Sequence, residues 1–255
     1  MRGTLVICPD LESLSREAAR RLLAAIREVQ KEPRTPFRLA LAGGSTPRRL
    51  YELLAGSEFR DKIPWSQVHF FWGDERMVPQ DHPQSNYRMG QEALLKHVPV
   101  PRPNIHPIPT QASPEEAAQA YENELRQHFG RGVPTFDLIL LGLGGDGHTA
   151  SLFPGAAALE EKQRLAVAHR PGLKGFDRVT LTLPVLNQAR RVFFLVAGEN
   201  KATALRAALG SGGQLPAQQV APRNGELIWL VDAAAASRLE RVRVEAEASG
   251  GDEER

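Results

Sequence analysis

The sequence has a single cysteine, Cys8, among its 255 residues, so no disulfide bond can form within the chain. We interpret Cys8 as a packing residue, and the sequence gives no sign of an oxidising compartment. No cysteine and histidine spacing resembles a closed zinc site, and we expect no metal. No segment reaches the roughly 18 consecutive apolar residues of a transmembrane helix, and the N-terminus lacks the apolar core of a signal peptide. We therefore expect a cytoplasmic protein without a membrane segment.

A strong charge of either sign is also missing, because 32 basic residues face 30 acidic ones and the net charge is +2. Nucleic acids and anionic membranes attract strongly basic surfaces, so this balance argues against both as partners. Hydrophobic residues make up 42% of the chain and charged residues 24%, as in an ordinary soluble α/β domain. An anionic small molecule must therefore be bound by a local group of residues.

Strand and helix patterns alternate along the chain, which predicts a doubly wound, mostly parallel sheet with helices on both faces. A helix is predicted from Leu11 to Val29, and the prolines between Pro99 and Pro114 indicate an extended crossing segment. We expect one catalytic domain over residues 1–246 and a disordered tail over residues 247–255. The predicted strands cover residues 4–7, 37–42, 68–72, 136–141, 178–183, 192–197 and 227–231.

The most informative segment is the glycine-rich stretch Gly142–Gly155, which follows a predicted buried strand. Ligands of open parallel sheets bind at the carboxyl ends of the strands. Asp146 and His148 stand close together in this stretch, so we interpret His148 as a catalytic base and Asp146 as the residue that orients or polarises it. Backbone amides of this turn, including that of Gly145, are suited to stabilise a developing oxyanion.

The same segment also satisfies the G-x-G-x-x-G pattern of dinucleotide-binding proteins. Pro154 leaves room for only a short helix, and the preceding strand lies near the middle of the chain, so we do not favour a nicotinamide cofactor. No G-x-S-x-G pattern of a serine hydrolase occurs, and we expect no cofactor. We interpret the remaining histidines as surface or packing residues: His69, His82, His97, His106, His128 and His169.

A second glycine turn follows the predicted strand at residues 37–42 and contains Gly43, Gly44, Ser45 and Thr46 before a proline. Free backbone amides, the two hydroxyls and the positive end of a helix dipole would meet there and can hold a phosphate. The same residues would also serve as a helix cap without any ligand.

Charged residues follow two further predicted strands. Arg76 can pair with a phosphate, Asp74 can bind sugar hydroxyls or orient a neighbour, and Lys201 near a helix start can add a second positive charge. Each of these residues taken alone is more typical of a solvated surface.

Together these motifs resemble the 6-phosphogluconolactonase family in order and spacing along nearly the whole chain. The resemblance implies a Rossmann-like three-layer α/β/α fold. It also implies hydrolysis, without a cofactor, of 6-phospho-D-glucono-1,5-lactone to 6-phospho-D-gluconate in the oxidative pentose phosphate pathway. The segments that carry it are Gly43–Pro47, Asp74–Arg76, Ser85–Tyr87, Asp146–Pro154 and Arg178–Thr182.

The resemblance further implies the residues of the site. It assigns the phosphate to the Gly43–Thr46 turn and places His148 near the lactone carbonyl. Further substrate contacts are expected from Asp74, Arg76, Asn86, Gly145, Arg170, Arg178 and Lys201.

Two other functions are open on the residues. A sugar-phosphate isomerase resembling glucosamine-6-phosphate deaminase would share the phosphate turn, but it carries a glutamate where this chain has Phe153 before Pro154. An apolar ring cannot transfer a proton, which argues against the isomerase. A noncatalytic sugar-phosphate sensor would keep the anion site, although the sequence offers no segment for an effector module. The oligomeric state is not indicated.

Overall fold

The computed structural model describes residues 3–32, 35–172, 175–212 and 214–239. The predicted tail at residues 247–255, and residues 240–246 before it, lie outside the described residues. The strands are β1 (Thr4–Cys8), β2 (Phe37–Leu41), β3 (Val68–Trp72), β4 (Asp74–Arg76), β5 (Leu138–Leu141), β6 (Ala166–His169), β7 (Arg178–Leu181), β8 (Arg191–Val196) and β9 (Glu226–Asp232). The helices are α1 (Leu11–Val29), α2 (Ser45–Ala55), α3 (Asn86–Gly90), α4 (Pro114–Phe129), α5 (Leu183–Leu186), α6 (Ala202–Leu209), α7 (Pro216–Gln219) and α8 (Ala233–Ala236).

The main sheet is six-stranded and parallel throughout, in the order β1-β9-β8-β5-β2-β3. β3 lies on one side of β2, whereas β5, the next strand of this sheet along the chain, lies on the other side. The winding direction therefore reverses between β2 and β5. Such a reversal opens a crevice at the carboxyl ends of the two strands, where open α/β sheets bind their ligands.

A second, three-stranded antiparallel sheet has the order β4-β7-β6. The sequence pattern predicts residues 178–183 as a strand of the main sheet, and this prediction is wrong. β7 belongs to the small sheet and ends at Leu181. Residues 74–76 lie outside the predicted strands, but they form β4. The predicted strands do not include β6 either. A short apolar run does not reveal which sheet it joins, and charged residues such as those of β4 rarely indicate a buried strand.

The predicted α1 is confirmed in full. Asp10 caps it by accepting a hydrogen bond from the Ser13 amide at 2.7 Å, and its apolar positions, including Leu14 and Leu22, are buried. All residues of the central strand β5 are buried, as expected for a strand covered by helices on both faces. The predicted three-layer α/β/α arrangement is confirmed.

Two further predictions concern Cys8 and the proline-rich segment between Pro99 and Pro114. Cys8 is buried in the hydrophobic core, where burial raises the pKa of its thiol. Between Pro99 and Pro114 the chain is irregular apart from a short 3₁₀ turn at Arg102–Asn104, and Ile105 pairs with Phe70 along the outer edge of β3.

Within the described ranges, no helix combines the length and apolar character that crossing a membrane requires.

Candidate active site

A cavity of about 250 Å³ lies at the crevice between β2 and β5. Four of the predicted groups converge on it, although they are far apart in the sequence. Its lining includes Gly43 and Gly44 after β2, Asp74 after β3, Gly145 and His148 after β5, and Lys201 after β8.

The turn after β2 depends on its glycines. Gly44 has φ 104°, a left-handed conformation that favours glycine, and it immediately precedes α2. A Cβ atom on Gly43 would lie 2.0 Å from Oδ1 of Asn86, so only glycine fits against that side chain. No side chain caps the N-terminus of α2. Its first amides, at the positive end of the helix dipole, therefore remain available to an anion.

Two buried tyrosines fix the strand ends from which the loops start. The Tyr51 hydroxyl of α2 accepts a hydrogen bond from the Ala42 amide and donates one to the Ala42 carbonyl, both at 2.9 Å. The Tyr121 hydroxyl of α4 binds the amide and carbonyl of Trp72 in the same way, at 3.0 and 2.8 Å. Burial raises the pKa of both hydroxyls, which stay protonated. The last residues before two binding loops are thus held by helix side chains.

Asp146 and His148 form a close pair in the turn after β5. Nδ1 of His148 lies 2.5 Å from Oδ1 of Asp146, which also accepts a hydrogen bond from the His148 amide at 3.1 Å. Partial burial raises the pKa of Asp146, but these hydrogen bonds outweigh it and leave the pKa below its ordinary value. Because the ionised carboxylate only accepts, the neutral tautomer of this imidazole carries its proton on Nδ1 and its lone pair on Nε2. The pair therefore has the protonation pattern of a general base.

Glycine is required at Gly144 for this pair to form. A Cβ atom on Gly144 would lie 2.1 Å from Nδ1 of His148 and 2.7 Å from Oδ1 of Asp146. The Gly144 amide also donates to the His148 carbonyl at 2.8 Å and closes the turn. Gly144 thus makes room for the pair of Asp146 and His148.

An aromatic stack supports the imidazole of His148. The Phe153 ring lies 4.3 Å from that imidazole and 4.8 Å from the ring of His169, measured between centroids. The Arg178 guanidinium lies 5.5 Å from the Phe153 centroid. The sequence predicts a surface or packing role for His169. No local sequence signal connects His169 with His148.

Asp74 lines the cavity and also organises its wall. Its Oδ2 accepts a hydrogen bond from Ser151 Oγ at 2.5 Å, and its Oδ1 accepts one from Asn86 Nδ2 at 3.2 Å. Ser151 belongs to a motif noted in the sequence, but no role was assigned to it. Next to it, Ala150 has φ 48° and is the one non-glycine with a left-handed conformation in the described ranges. Such strain costs roughly 1–3 kcal/mol and is typical of functional sites.

Glu75 has a different role from the neighbouring aspartate. It is 1% exposed and accepts hydrogen bonds from the amides of Asn86 at 2.8 Å and Tyr87 at 2.7 Å, and from the Ser85 hydroxyl at 3.1 Å. Burial raises its pKa despite these bonds. Glu75 therefore caps α3 and positions Asn86, whereas the carboxylate that contacts His148 is that of Asp146.

Two arginines lie opposite each other where β4 pairs with β7. Arg76 and Arg178 are register partners, and within the described residues neither buried Nε has a hydrogen-bond partner. Burial, followed by the charge of Arg76, lowers the pKa of Arg178. Arg76 also lines a second cavity of about 400 Å³, together with Gly44, Ser45 and Asn86. Nη1 of Arg76 donates to the Gln84 carbonyl at 2.7 Å, and Nη1 of Arg178 lies 4.0 Å from Oδ2 of Asp74. Guanidinium groups suit an anionic ligand because they can donate two parallel hydrogen bonds.

Arg170 does not belong to this group. Its guanidinium donates two hydrogen bonds to the Glu115 carboxylate, at 2.9 and 2.6 Å, and one to Asp177 at 3.2 Å. It lines neither cavity. In this arrangement acidic side chains occupy its donors, and a contact between Arg170 and substrate stays a prediction.

Comparison with known proteins gives a consistent result. Residues 9–229 match the family described as glucosamine-6-phosphate isomerases/6-phosphogluconolactonase. A 6-phosphogluconolactonase from Synechocystis is 50% identical over 208 residues, which cover 79% of this chain and 84% of the relative. One from Nostoc is 39% identical over 246 residues, covering 94% and 99%. The solved structure of 6-phosphogluconolactonase from Trypanosoma brucei superposes with a TM-score of 0.81 at 31% identity, covering 93% of this chain and 99% of that one. The chain therefore belongs to the glucosamine-6-phosphate isomerase/6-phosphogluconolactonase family.

Proposed function

We propose that this protein hydrolyses 6-phospho-D-glucono-1,5-lactone to 6-phospho-D-gluconate, the lactonase step of the oxidative pentose phosphate pathway. The observation that carries the proposal is the Asp146–His148 pair, with Nδ1 and Oδ1 2.5 Å apart, at a cavity that also exposes a helix N-terminus. A sugar-phosphate ester needs both features, one for the reaction and one for the phosphate. The names of the relatives agree with this activity.

The phosphate is assigned to the turn formed by Gly43, Gly44, Ser45 and Thr46. Uncapped amides of α2 supply hydrogen bonds there, and Gly44 and Ser45 share the second cavity with Arg76. Arg178, opposite Arg76, and Lys201, in the wall of the first cavity, add positive charge. Binding at the phosphate end would hold the lactone beside the base, so that distant binding energy contributes to orientation.

In the proposed reaction, Nε2 of His148 takes a proton from a water molecule as that water attacks C1 of the lactone. The resulting imidazolium then protonates the ring oxygen as the tetrahedral intermediate collapses and the C1–O bond breaks. The Asp146 carboxylate stabilises the imidazolium and holds the tautomer. The Gly145 amide is a candidate donor to the oxyanion. General acid–base catalysis of this kind contributes roughly 10²- to 10⁴-fold.

The position of Phe153 argues against the isomerase alternative. Its ring contacts the imidazole of His148 at 4.3 Å between centroids, so this position is adjacent to the base. At this position the chain has a phenylalanine instead of a glutamate that could transfer a proton. This favours hydrolysis with His148 as the one acid–base group.

We further propose that residues 1–246 act as one catalytic domain in the cytoplasm. Hydrophobic residues of both sheets, such as Leu140 of β5 and Val179 of β7, belong to a common core. The buried Cys8 thiol has no partner for an internal disulfide, because it is the one cysteine in the sequence.

The proposal is tested by generating the lactone in a stopped-flow cell and following proton release with a pH indicator. Spontaneous hydrolysis is subtracted, and wild type is compared with His148→Ala and Arg76→Ala. We expect acceleration by wild type, loss of turnover in His148→Ala, and mainly a higher KM in Arg76→Ala. A folded wild type that gives no acceleration would reject the lactonase. Turnover of glucosamine 6-phosphate would then indicate the isomerase, and binding without turnover would indicate the sensor.

A further inference from the structure

Three histidines that are distant in the sequence lie together away from the proposed active site. One coordinating nitrogen from each of His69, His106 and His128 lies within 4.8 Å of the others. Nδ1 of His69 and Nε2 of His106 are 3.0 Å apart, and the rings of His106 and His128 are 4.0 Å apart at their centroids. We call these residues the histidine cluster. The sequence analysis had interpreted them individually as surface or packing residues.

The three imidazoles of the histidine cluster come from three separate segments of the chain. His69 belongs to β3, and His128 lies in the last turn of α4. The His106 amide donates to the Phe70 carbonyl at 2.8 Å, beside the bridge between Phe70 and Ile105. Groups fixed in this way need only side-chain rotation to converge, which favours ion binding.

A carboxylate completes the arrangement. Oε1 of Glu124 lies 2.8 Å from Nδ1 of His106 and 3.1 Å from Nε2 of His128. It therefore orients two rings, and Nε2 of His106 is directed toward His69 as an acceptor. Carboxylate–histidine pairs of this kind commonly orient the imidazoles that bind a metal. The Arg38 guanidinium donates a hydrogen bond to the His128 carbonyl at 3.4 Å.

We propose that His69, His106 and His128 bind a divalent transition-metal ion, with Zn²⁺ as the expected occupant, and that Glu124 orients two of the three ligands. Imidazole nitrogens favour zinc and its neighbours in the first transition row over Mg²⁺ and Ca²⁺. Zinc–nitrogen bonds of about 2.0–2.1 Å in a tetrahedral site place two ligand nitrogens about 3.3 Å apart. The 3.0 Å separation in the pair of His69 and His106 is close to that value.

The surroundings are compatible with an ion. His69 is partly buried and His106 is buried, and each directs one ring nitrogen toward the other. Neutral imidazole is the form that coordinates a metal. The His106 side chain is 4% exposed and that of His128 is 29% exposed, which leaves an open side where water can be the fourth ligand.

The position suggests a structural role. His69 is the second residue of β3, and about 10 Å of strand separates it from Trp72 at the carboxyl end, where the active-site cavity begins. A bound ion would cross-link the outermost strand of the main sheet, the segment around His106 and the end of α4. We therefore expect it to stabilise the fold without taking part in lactone hydrolysis.

The test uses the complete chain without a histidine tag, freed of metal by a chelator and then dialysed. Zn²⁺ binding is measured by isothermal titration calorimetry and by the change in Tm, and Co²⁺ absorption in the visible range reports the coordination geometry. The variants are His128→Gln, His69→Gln and Glu124→Gln. His97→Gln is the matched control, since His97 is exposed and lies outside the histidine cluster.

We expect one Zn²⁺ per chain, a higher Tm with Zn²⁺, and a Co²⁺ spectrum of a four-coordinate site. His128→Gln and His69→Gln should lose this binding, Glu124→Gln should weaken it by roughly 10- to 100-fold, and His97→Gln should leave it unchanged. Circular dichroism of the metal-free variants separates loss of binding from loss of folding, and the two ligand variants provide independent tests. Absence of binding to wild type would overturn the proposal. Binding that survives in folded His128→Gln and His69→Gln would overturn it as well.

Discussion

In two places in the molecule a carboxylate orients a histidine side chain. The two places differ in what lies next to the imidazole nitrogen that the carboxylate does not contact. In the turn after β5, Asp146 binds Nδ1 of His148, whose side chain is 29% exposed beside an open cavity. Between β3 and α4, Glu124 binds His106, which is 4% exposed and faces another imidazole. We propose water activation for this pair of functional groups in the first place and ion binding in the second. The surroundings of the second nitrogen decide between these roles.

The backbone beneath the two arrangements also differs. His148 lies in a turn whose glycines permit a close approach, whereas His69 and His128 lie in regular elements. A turn can direct a base toward a substrate, and rigid elements can hold several ligands at a fixed spacing. The predictions below test this difference.

Removing the base should have the largest effect. We expect His148→Ala to lower kcat by roughly 10²- to 10⁴-fold with little change in KM, because the proposed phosphate contacts remain. Steady-state kinetics with the freshly generated lactone measures both constants. An equal, small change in both constants would contradict the assignment of His148 as the base.

Displacing the base without removing it should also be severe. In Gly144→Ala the new Cβ atom would lie 2.1 Å from Nδ1 of His148, so the contact with Asp146 must break. We expect a fall in kcat at least as large as that caused by Asp146→Asn. Gly142→Ala is the control in the same turn, because a Cβ atom there meets nothing within 4 Å. Similar kinetics of the two alanine variants would show that the close approach is not needed.

Asp146→Asn weakens the orientation of the imidazole and removes the charge that stabilises its protonated form. A hydrogen bond to a charged group contributes about 1.5–3 kcal/mol, which corresponds to roughly 10- to 100-fold in kcat. The variant should retain its affinity for the product, measured by calorimetry. Unchanged kcat would leave Asp146 with a structural role only.

Glu124→Gln is the corresponding change in the histidine cluster. It should leave kcat of the lactonase unchanged and lower the stability of the metal-free protein by about 1 kcal/mol, because an uncharged amide oxygen accepts the two hydrogen bonds less strongly than the carboxylate does. Urea denaturation together with steady-state kinetics checks both expectations. A large loss of kcat would mean that the two arrangements are coupled.

The smallest expected effect is on acid stability. Because the pKa of Asp146 in the folded protein lies below its ordinary value of 3.8, the carboxylate stabilises the fold above that value. This contribution is lost as the pH falls through the folded pKa. Urea midpoints measured between about pH 3 and pH 5 should therefore fall less steeply in Asp146→Asn than in wild type. Parallel curves would show that the contact with His148 does not stabilise the fold.

Much of the fold could be predicted from the sequence, because local patterns determine it. The alternation of strands and helices, α1, and the glycine turns at Gly43 and Gly144 all follow from spacing and backbone requirements. The assignment of β7 failed because membership of a sheet depends on distant partners. β4 was missed because its buried carboxylates are satisfied by residues from α3 and by Ser151.

The distinction between local patterns and contacts of distant residues also applies to the candidate active site and to the histidine cluster. His148 and Asp146 were predicted as a pair because they are neighbours in one turn. The contacts of Phe153 with His148 and with His169, and the ion pair of Arg170 with Glu115, depend on tertiary packing and leave no local signal. The histidine cluster joins residues from β3, an irregular segment and α4, so no short motif could indicate it.

The hydroxyls of Tyr51 and Tyr121 have a consequence for how such a protein can change over evolution. Because each hydroxyl satisfies both polar backbone groups at the end of a strand, the strand does not rely on the following loop for those hydrogen bonds. The loops after Ala42 and Trp72 can then vary in length and chemistry while the sheet stays intact.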